Sequence, residues 1–85
     1  MNHQTINTQI KDLRKNLGLR QVDFAKRAGI GIRFLRELER GKPTVRLDKL
    51  NQVLDFLGYH LELKRNAPEN EPEIPITKLS IRKTA

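Results

Sequence analysis

The amino-acid sequence predicts an all-α fold, a small helical bundle that is followed by a short C-terminal β-strand. Three observations support this prediction. Apolar residues recur at helical spacing in four successive runs before residue 58, a glycine follows each run, and apolar and polar residues alternate after the last of these glycines. Because a chain of 85 residues builds only one small core, we expect a single domain over residues 5–65.

The first two predicted helices have clear boundaries. The first begins after Thr5, a candidate N-cap, and ends before Gly18. Its apolar arc consists of Ile6, Ile10, Leu13 and Leu17. The second begins at Gln21 and ends at Gly29. Its apolar side consists of Val22, Phe24, Ala25 and Ala28.

The third predicted helix runs from about Gly31 to Arg40, and Gly41 closes it. The fourth ends at Gly58. Its apolar side consists of Leu47, Leu50, Val53, Leu54 and Leu57. Arg46 occupies the position where a Ser or Thr N-cap is usual, so the sequence leaves the start of this helix open.

The stretch "YHLELKR", residues 59–65, predicts a half-buried strand, because apolar and polar residues alternate in it. A single strand leaves its backbone donors and acceptors unpaired, so we expect it to pair antiparallel with the same segment of a second subunit. Phe56 lies off the main apolar arc and packs either in the core against the first helix or, as the unpaired strand favours, between subunits. The predicted dimer interface consists of Phe56, Tyr59, Leu61 and Leu63.

Residues 66–85 are predicted to form a flexible linker and tail. The segment "NAPENEPEIP", residues 66–75, contains three prolines and three glutamates, a composition that is typical of linkers. The end of the chain, "ITKLSIRKTA", regains some alternation but is short. An alternative is that the segment "EIPITKLSIRK", residues 73–83, docks on a toxin as an added strand or an extended peptide.

The basic residues are concentrated in one part of the chain. Seventeen Lys and Arg against ten Asp and Glu give a net charge of +7, and residues 11–49 hold the whole excess, with twelve basic and five acidic side chains. Such a concentration is typical of a protein that binds a polyanion, most often nucleic acid. A solvated surface is the competing interpretation of the charge alone.

Several classes of protein are disfavoured by what the sequence lacks. Without cysteine the chain forms no disulfide and no thiolate metal site, which fits the cytoplasm. No apolar run approaches the roughly 20 residues of a membrane-spanning helix, and the N-terminus lacks the apolar stretch of a signal peptide, so no membrane association is expected. His3 and His60 stand apart from any metal-ligand pattern, and no catalytic set of residues converges. We therefore expect no metal, no cofactor and no enzymatic activity.

The residues around Gly29 predict two helices that cross steeply. Gly29 can adopt the positive φ of a sharp turn, and the small Ala25 lets the helices approach closely. On a helical wheel, the apolar side of the third helix consists of Ile32, Phe34, Leu35 and Leu38. Its other side consists of Arg33, Arg36, Glu37 and Arg40. A rigid pair of helices that projects one short basic helix fits the major groove of DNA, which admits a single helix.

The charged residues have different expected roles at DNA. Arg33, at the exposed start of the third helix, can donate two hydrogen bonds to guanine. Four other cations flank the groove and are expected to contact phosphates: Arg36, Arg40, Lys42 and Arg46. Glu37 either accepts from a cytosine amine or holds Arg33 or Arg40 through a helical pair. Glu39 lies on the buried side of its helix, where Arg14 is the expected partner in a structural ion pair.

The stretch "RQVDFAKRAGIGIRFLRELERGK", residues 20–42, resembles the helix-turn-helix of the phage-repressor-like XRE and Cro family, which has a lambda-repressor-like fold. The matching positions are Gln21, Ala25, Gly29, Glu39, Arg40, Gly41 and Lys42. The resemblance covers residues from about 8 to 58. It implies that Gln21 contacts a phosphate, and it also implies the pairing of Arg14 with Glu39. The residues that it places at or beside the base edges are Ile32, Arg33, Phe34 and Glu37.

The strand "YHLELKR" after "LDFLG" resembles the HipB-like antitoxins of toxin–antitoxin operons, whose dimers pair such strands. This resemblance implies a homodimeric repressor that binds a palindromic operator in double-stranded DNA and regulates its own promoter. The implied partner is a HipA-like kinase toxin. Two alternatives stay open: a stand-alone phage-type repressor without a toxin, and an antitoxin that acts mainly by protein–protein neutralisation through its C-terminal tail.

Overall fold

The computed structural model describes residues 5–63 and 73–84. Within these residues the chain forms four α-helices, four short β-strands and one turn of 3-10 helix. The helices are α1 (Ile6–Asn16), α2 (Gln21–Ala28), α3 (Ile32–Arg40) and α4 (Leu47–Leu57). The other elements are β1 (Thr44–Val45), β2 (Tyr59–Leu63), β3 (Ile74–Pro75), the 3-10 helix Ile76–Lys78 and β4 (Leu79–Lys83).

The four predicted helices are confirmed, and local chemistry explains their ends. Thr5 caps α1, since its Oγ1 accepts a hydrogen bond from the backbone amide of Thr8 at 3.4 Å. α2 ends at Gly29, which has the left-handed φ of +76°. α4 begins after Arg46, whose side chain makes no capping hydrogen bond.

The turn between α2 and α3 is closed by two backbone hydrogen bonds. The amide of Ile30 donates to the carbonyl of Ala25 at 3.0 Å, and the amide of Gly29 donates to the carbonyl of Lys26 at 3.3 Å. This paired arrangement satisfies carbonyls at the end of α2 and requires a left-handed residue at position 29. A Cβ there would make only an ordinary contact with Gln52 Nε2 at 3.9 Å, so glycine is needed for the backbone conformation and not for space.

The core lies where the apolar faces of the four helices meet. Three residues of α4 are fully buried: Leu50, Val53 and Leu54. Phe24 of α2 and Leu35 of α3 are also fully buried in the same cluster. The apolar arcs of the helices therefore face one common core.

Two residues that the helical wheels place on apolar sides are exposed. Leu17 and Val22 keep 54% and 53% of their surface accessible to solvent. Leu17 follows the last residue of α1, and Val22 lies in the first turn of α2. Both therefore lie beside the connection between α1 and α2, where the chain turns at the edge of the core.

A buried polar side chain holds α1 against the end of α3. Asn7 is 5% exposed, and its Nδ2 donates to the carbonyl oxygens of Leu38 at 2.7 Å and Lys42 at 3.3 Å. Carbonyls in the last turn of a helix have no partner within that helix. Asn7 therefore adds a second donor to the carbonyl of Leu38, which also accepts from the amide of Gly41 at 3.2 Å, and it fixes the chain that follows α3.

The C-terminal segment, residues 73–84, is part of the fold. β4 pairs antiparallel with β2, and β3 pairs antiparallel with β1. In addition, the amide of Ile76 donates to the carbonyl of Pro43 at 2.7 Å. The prediction of a flexible linker and tail over residues 66–85 therefore differs from the structure for the C-terminal segment, whereas residues 66–72 lie outside the described part of the chain.

Burial explains why the C-terminal segment packs back on the helices. Ile74, Ile76 and Leu79 are 0%, 4% and 3% exposed, so the segment removes a substantial apolar surface from water. β4 also pairs the backbone of one edge of β2, for which the sequence analysis expected a second subunit. Pairing across a dimer stays a prediction, and it concerns the other edge of β2.

Candidate nucleic-acid interface

The helices α2 and α3 pack against each other and leave one face of α3 open to solvent. Ala25 of α2 and Leu35 and Leu38 of α3 are buried in the common core. The exposed cations on the opposite face of α3 are Arg33, Arg36 and Arg40. A polyanion can therefore approach this face without displacing any packed side chain.

The four residues expected at base edges fall into two groups. Ile32 and Phe34 are only partly exposed and pack against the core, so much of their apolar surface is already covered. The side chain of Arg33 is 91% exposed, and its Nε lies 3.9 Å from Glu37 Oε2. This distance is that of a helical ion pair and is too long for a hydrogen bond. Glu37 therefore lies within ion-pair range of Arg33, and its role at DNA stays a prediction.

The end of α3 carries a cluster of alternating charges. Lys42 Nζ lies 3.9 Å from Glu37 Oε1 and 3.5 Å from Glu73 Oε1. Thr44 Oγ1 donates to the same oxygen of Glu73 at 2.6 Å. These four side chains line a shallow cavity of about 240 Å³ beside α3, together with Arg33 and Arg46. The C-terminal segment thus places the carboxylate of Glu73 beside the cations at the end of α3.

Glu73 is negatively charged at neutral pH. The hydrogen bond from Thr44 holds the pKa of Glu73 below its ordinary value, and the charge of Lys42 adds to this effect. Because the folded pKa is the lower one, the interaction stabilises the fold above the ordinary glutamate pKa and is lost as the pH falls through the lowered value. The side chain is 42% exposed, so solvent screens this contribution.

A buried network lies behind the exposed face of α3. Arg14 and Glu39, the pair expected from the sequence, form a two-pronged ion pair, with Nε–Oε2 at 2.6 Å and Nη2–Oε1 at 2.9 Å. Their side chains are 10% and 3% exposed. Arg14 Nη1 also donates to the carbonyl of Leu19 at 2.7 Å, and Gln21 Nε2 donates to Glu39 Oε1 at 3.1 Å. The network joins α1, the α1–α2 connection, α2 and α3.

Gln21 is therefore engaged inside the protein. The family resemblance implies that its side chain binds a phosphate, whereas in the structure its amide nitrogen donates to Glu39. Gln21 and Glu39 border a concave polar surface that also includes three cations: Lys11, Arg36 and Arg40. The phosphate role of Gln21 stays a prediction, and Lys11 adds a cation that the sequence analysis did not single out.

Arg46 pairs with the first turn of α4. Its Nη2 and Nε lie 2.8 Å and 3.2 Å from the two carboxylate oxygens of Asp48. Both side chains are more than half exposed, at 54% and 62%. A DNA phosphate that binds Arg46 would therefore replace the carboxylate of Asp48 as its anionic partner.

The residues expected in a dimer interface make contacts within the chain. The ring of Phe56 packs edge-to-face on Phe24 of α2, with centroids 5.2 Å apart, and it remains 37% exposed. Tyr59 and Leu61 are half-buried against the core. The side chain of Leu63 lies outside the described part of the chain. A role of these four residues between subunits stays a prediction.

The described residues include neither a cluster of metal-ligating side chains nor a membrane-spanning helix. Among them, no three His, Cys, Asp or Glu side chains lie together in a way that could bind a metal ion. None of the helices described in residues 5–63 and 73–84 has the length and hydropathy of a membrane-spanning segment.

Besides Lys11, three residues at or behind this surface were not identified from the sequence: Asn7, Thr44 and Glu73. Asn7 had a usable signal, because it lies on the same side of α1 as Ile10 and Arg14, at spacings that place a polar residue on the buried face. Thr44 and Glu73 had none, since their contact joins residues far apart in sequence and the residues around Glu73 have the composition of a linker.

Comparisons with known proteins agree with this geometry. The family model described as Helix-turn-helix matches residues 10–64. The chain is also 41% identical over 58 residues, which is 68% of this chain and 76% of the relative, to the "Uncharacterized HTH-type transcriptional regulator y4mF" of Sinorhizobium fredii. No solved structure matches the chain with statistical significance. The chain therefore belongs to the helix-turn-helix family of DNA-binding proteins.

Proposed function

We propose that the protein is a homodimeric transcriptional repressor that places α3 in the major groove of a palindromic operator. The main support for this function is the difference between the two faces of α3, of which one is apolar and buried and the other is basic and exposed. Leu35 and Leu38 anchor it in the core, and the side chain of Arg33 on the opposite face is 91% exposed. The apolar face of α3 is packed in the core and its charged face is exposed. Such a helix can enter a groove with little loss of backbone conformational freedom.

Base reading is assigned to the first turns of α3. Arg33 lies near the N-terminus of this helix, where recognition helices contact base edges. Its planar guanidinium matches O6 and N7 of guanine, and Glu37 lies within ion-pair range of it at 3.9 Å. The remaining exposed surface of Ile32 and Phe34 fits contact with thymine methyl groups.

Phosphate contacts are assigned to the residues that surround this helix: Gln21, Arg36, Arg40, Lys42 and Arg46. Such contacts set the position of a protein on the duplex without reading its sequence. Lys42 and Arg46 are already paired with carboxylates of the protein, so their binding to phosphates is an exchange of partners. This exchange reduces the number of counterions that DNA binding releases.

Dimerisation would supply the affinity that one small domain lacks. A single module of this kind covers only about 600–1,000 Å² on DNA, and two copies of α3 about 34 Å apart would face successive turns of the major groove. The second copy is proposed to pair along β2. In residues 5–63 and 73–84, β4 is the one strand paired with β2, so the opposite edge can accept another strand.

Arg33→Ala is expected to reduce the preference for the operator over random DNA by about 1–3 kcal/mol, because it removes a base contact. Lys42→Ala is the matched comparison and is expected to weaken binding to both duplexes alike, because a phosphate contact carries no sequence information. Fluorescence-anisotropy titrations with the DNA upstream of the gene and with a random duplex of the same length, at one salt concentration, measure both effects.

The same titrations can refute the proposal at two levels. Equal losses on operator and random DNA for Arg33→Ala would refute its role in base reading. A wild-type protein that binds neither duplex at low ionic strength would refute DNA binding altogether.

We further propose that the protein is the antitoxin of a type II toxin–antitoxin operon, with a HipA-like kinase toxin as its partner. The support is the resemblance of residues 59–65 to the strand of HipB-like antitoxins. A kinase-like reading frame beside the gene, and co-purification of its product with this protein, would support the proposal. An isolated gene would favour the stand-alone phage-type repressor.

Neutralisation of a toxin through a free C-terminal tail has less support. That alternative was motivated by the apolar alternation of residues 73–83. The apolar side chains of Ile76 and Leu79 are buried in the protein's own core, and β4 is paired with β2. A toxin that captured this segment as an added strand would first have to remove it from the fold.

A further inference from the structure

The carboxylate of Glu73 lies at a point where the proposed interface offers donors to a phosphate. Its Oε1 accepts a hydrogen bond from Thr44 Oγ1 at 2.6 Å and lies 3.5 Å from Lys42 Nζ. A hydroxyl and an ammonium that converge on one anionic oxygen also form a donor set for a phosphate oxygen of DNA. In the absence of DNA, these donors hold an acid from the protein's own C-terminal segment.

The fold fixes the position of this acid. Glu73 directly precedes β3, in which Ile74 lies opposite Val45 of β1. Both Ile74 and Val45 are buried, at 0% and 3% exposed. The backbone that carries Glu73 is therefore anchored beside Thr44, and the carboxylate is held near Lys42 at a high effective concentration.

We propose that Lys42 and Thr44 form a phosphate-binding pair at the DNA interface, and that Glu73 occupies this pair as an internal competitor when no DNA is bound. The inference rests on the proposed DNA binding. A DNA phosphate must displace the carboxylate of Glu73, because two anions within reach of the same two donors repel each other. Glu73 therefore lowers the affinity for all sequences and limits non-specific binding.

The salt dependence of DNA binding by Glu73→Gln tests this inference. The amide oxygen still accepts a hydrogen bond from Thr44, so the docking of β3 is preserved while the charge is lost. We expect about two- to fivefold tighter binding, the range that exposed ion pairs are worth. The plot of log affinity against log salt should steepen by about 0.9, because the phosphate that Lys42 neutralises then releases its condensed cation without freeing a carboxylate that takes one up.

Glu62→Gln is the matched control. It removes the same charge from a side chain that is also 42% exposed and that pairs with a cation, Arg82, at 3.1 Å. Glu62 lies in β2, outside the charged cluster at the end of α3. Equal effects of Glu62→Gln and Glu73→Gln on affinity and slope would show a general effect of net charge and would overturn the inference.

Two further variants complete the experiment. In a Lys42→Gln background, Glu73→Gln is expected to leave the slope unchanged, and a persisting change would overturn the competition for Lys42. Glu73→Ala, which offers no acceptor to Thr44, should steepen the slope like Glu73→Gln, so the outcome does not depend on the folding of one variant. Unchanged or weaker binding by both variants, with wild-type binding intact, would refute the inference alone. A wild-type protein that binds no duplex would refute the proposed function.

Discussion

Deletion of residues 66–85 is expected to unfold the domain. The deletion removes Ile74, Ile76 and Leu79, which are 0–4% exposed. Each fully buried aliphatic side chain contributes about 1.5–3 kcal/mol, so the three contribute roughly 5–9 kcal/mol. This loss is as large as the total stability of many small domains, about 5–15 kcal/mol. Loss of the cooperative thermal transition, measured by circular dichroism, is the expected result.

Single substitutions in the 3-10 helix distinguish the loss of core packing from the effect of shortening the chain. Ile76→Ala is expected to lower the free energy of unfolding by about 2–5 kcal/mol, since it opens a cavity in the core. Thr77→Ala is the matched control, because Thr77 is its exposed neighbour and such changes usually stay within about 0.5 kcal/mol. A truncated chain that keeps native helix content and unfolds cooperatively would contradict the assignment of the C-terminal segment to the core.

Glu39→Ala is expected to lower the free energy of unfolding by about 3–5 kcal/mol, because it leaves the guanidinium of Arg14 buried without its counterion. The two side chains are 10% and 3% exposed, so water replaces the lost contacts poorly. The donor of Gln21 also loses its partner. Urea denaturation monitored by circular dichroism measures this change.

Two controls identify the cause of that loss. Glu37→Ala removes an acid from the same helix, but Glu37 is 42% exposed and its nearest paired cations lie 3.9 Å away, so a change within about 0.5 kcal/mol is expected. The double variant Arg14→Met with Glu39→Leu should recover most of the stability, since it leaves no unpaired charge. Equal losses for Glu37→Ala and Glu39→Ala would contradict the burial argument.

The helices could be predicted from the sequence because their signals are local. Apolar spacing and the glycine after each run lie within a few residues of one another, and Thr5 and Gly29 act on the helix ends that they adjoin. The partners Arg14 and Glu39 were also identifiable, because each is a charged residue on or beside the apolar side of its helix. The buried Asn7 and the exposure of Leu17 at the α1–α2 connection were not predicted.

The C-terminal segment could not be predicted in the same way. The pairing of β2 with β4 joins strands separated by a proline- and glutamate-rich stretch, whose composition indicates a linker. The position of the C-terminal segment in the fold depends on the packing of Ile74, Ile76 and Leu79 in a core that the helices form. The contact of Glu73 with Thr44 depends on that docking, so no local pattern reveals it.

Binding of α3 in the major groove is tested most directly by methylation protection with dimethyl sulfate, which modifies guanine N7 in that groove. With the wild-type protein bound to its operator, we expect two protected patches about 34 Å apart, one in each half-site. With Arg33→Ala at a concentration that restores full occupancy, protection of the contacted guanines should be lost. Guanines that remain fully reactive under the wild-type protein, or protection that Arg33→Ala leaves unchanged, would contradict the assignment of α3 as the element that reads DNA.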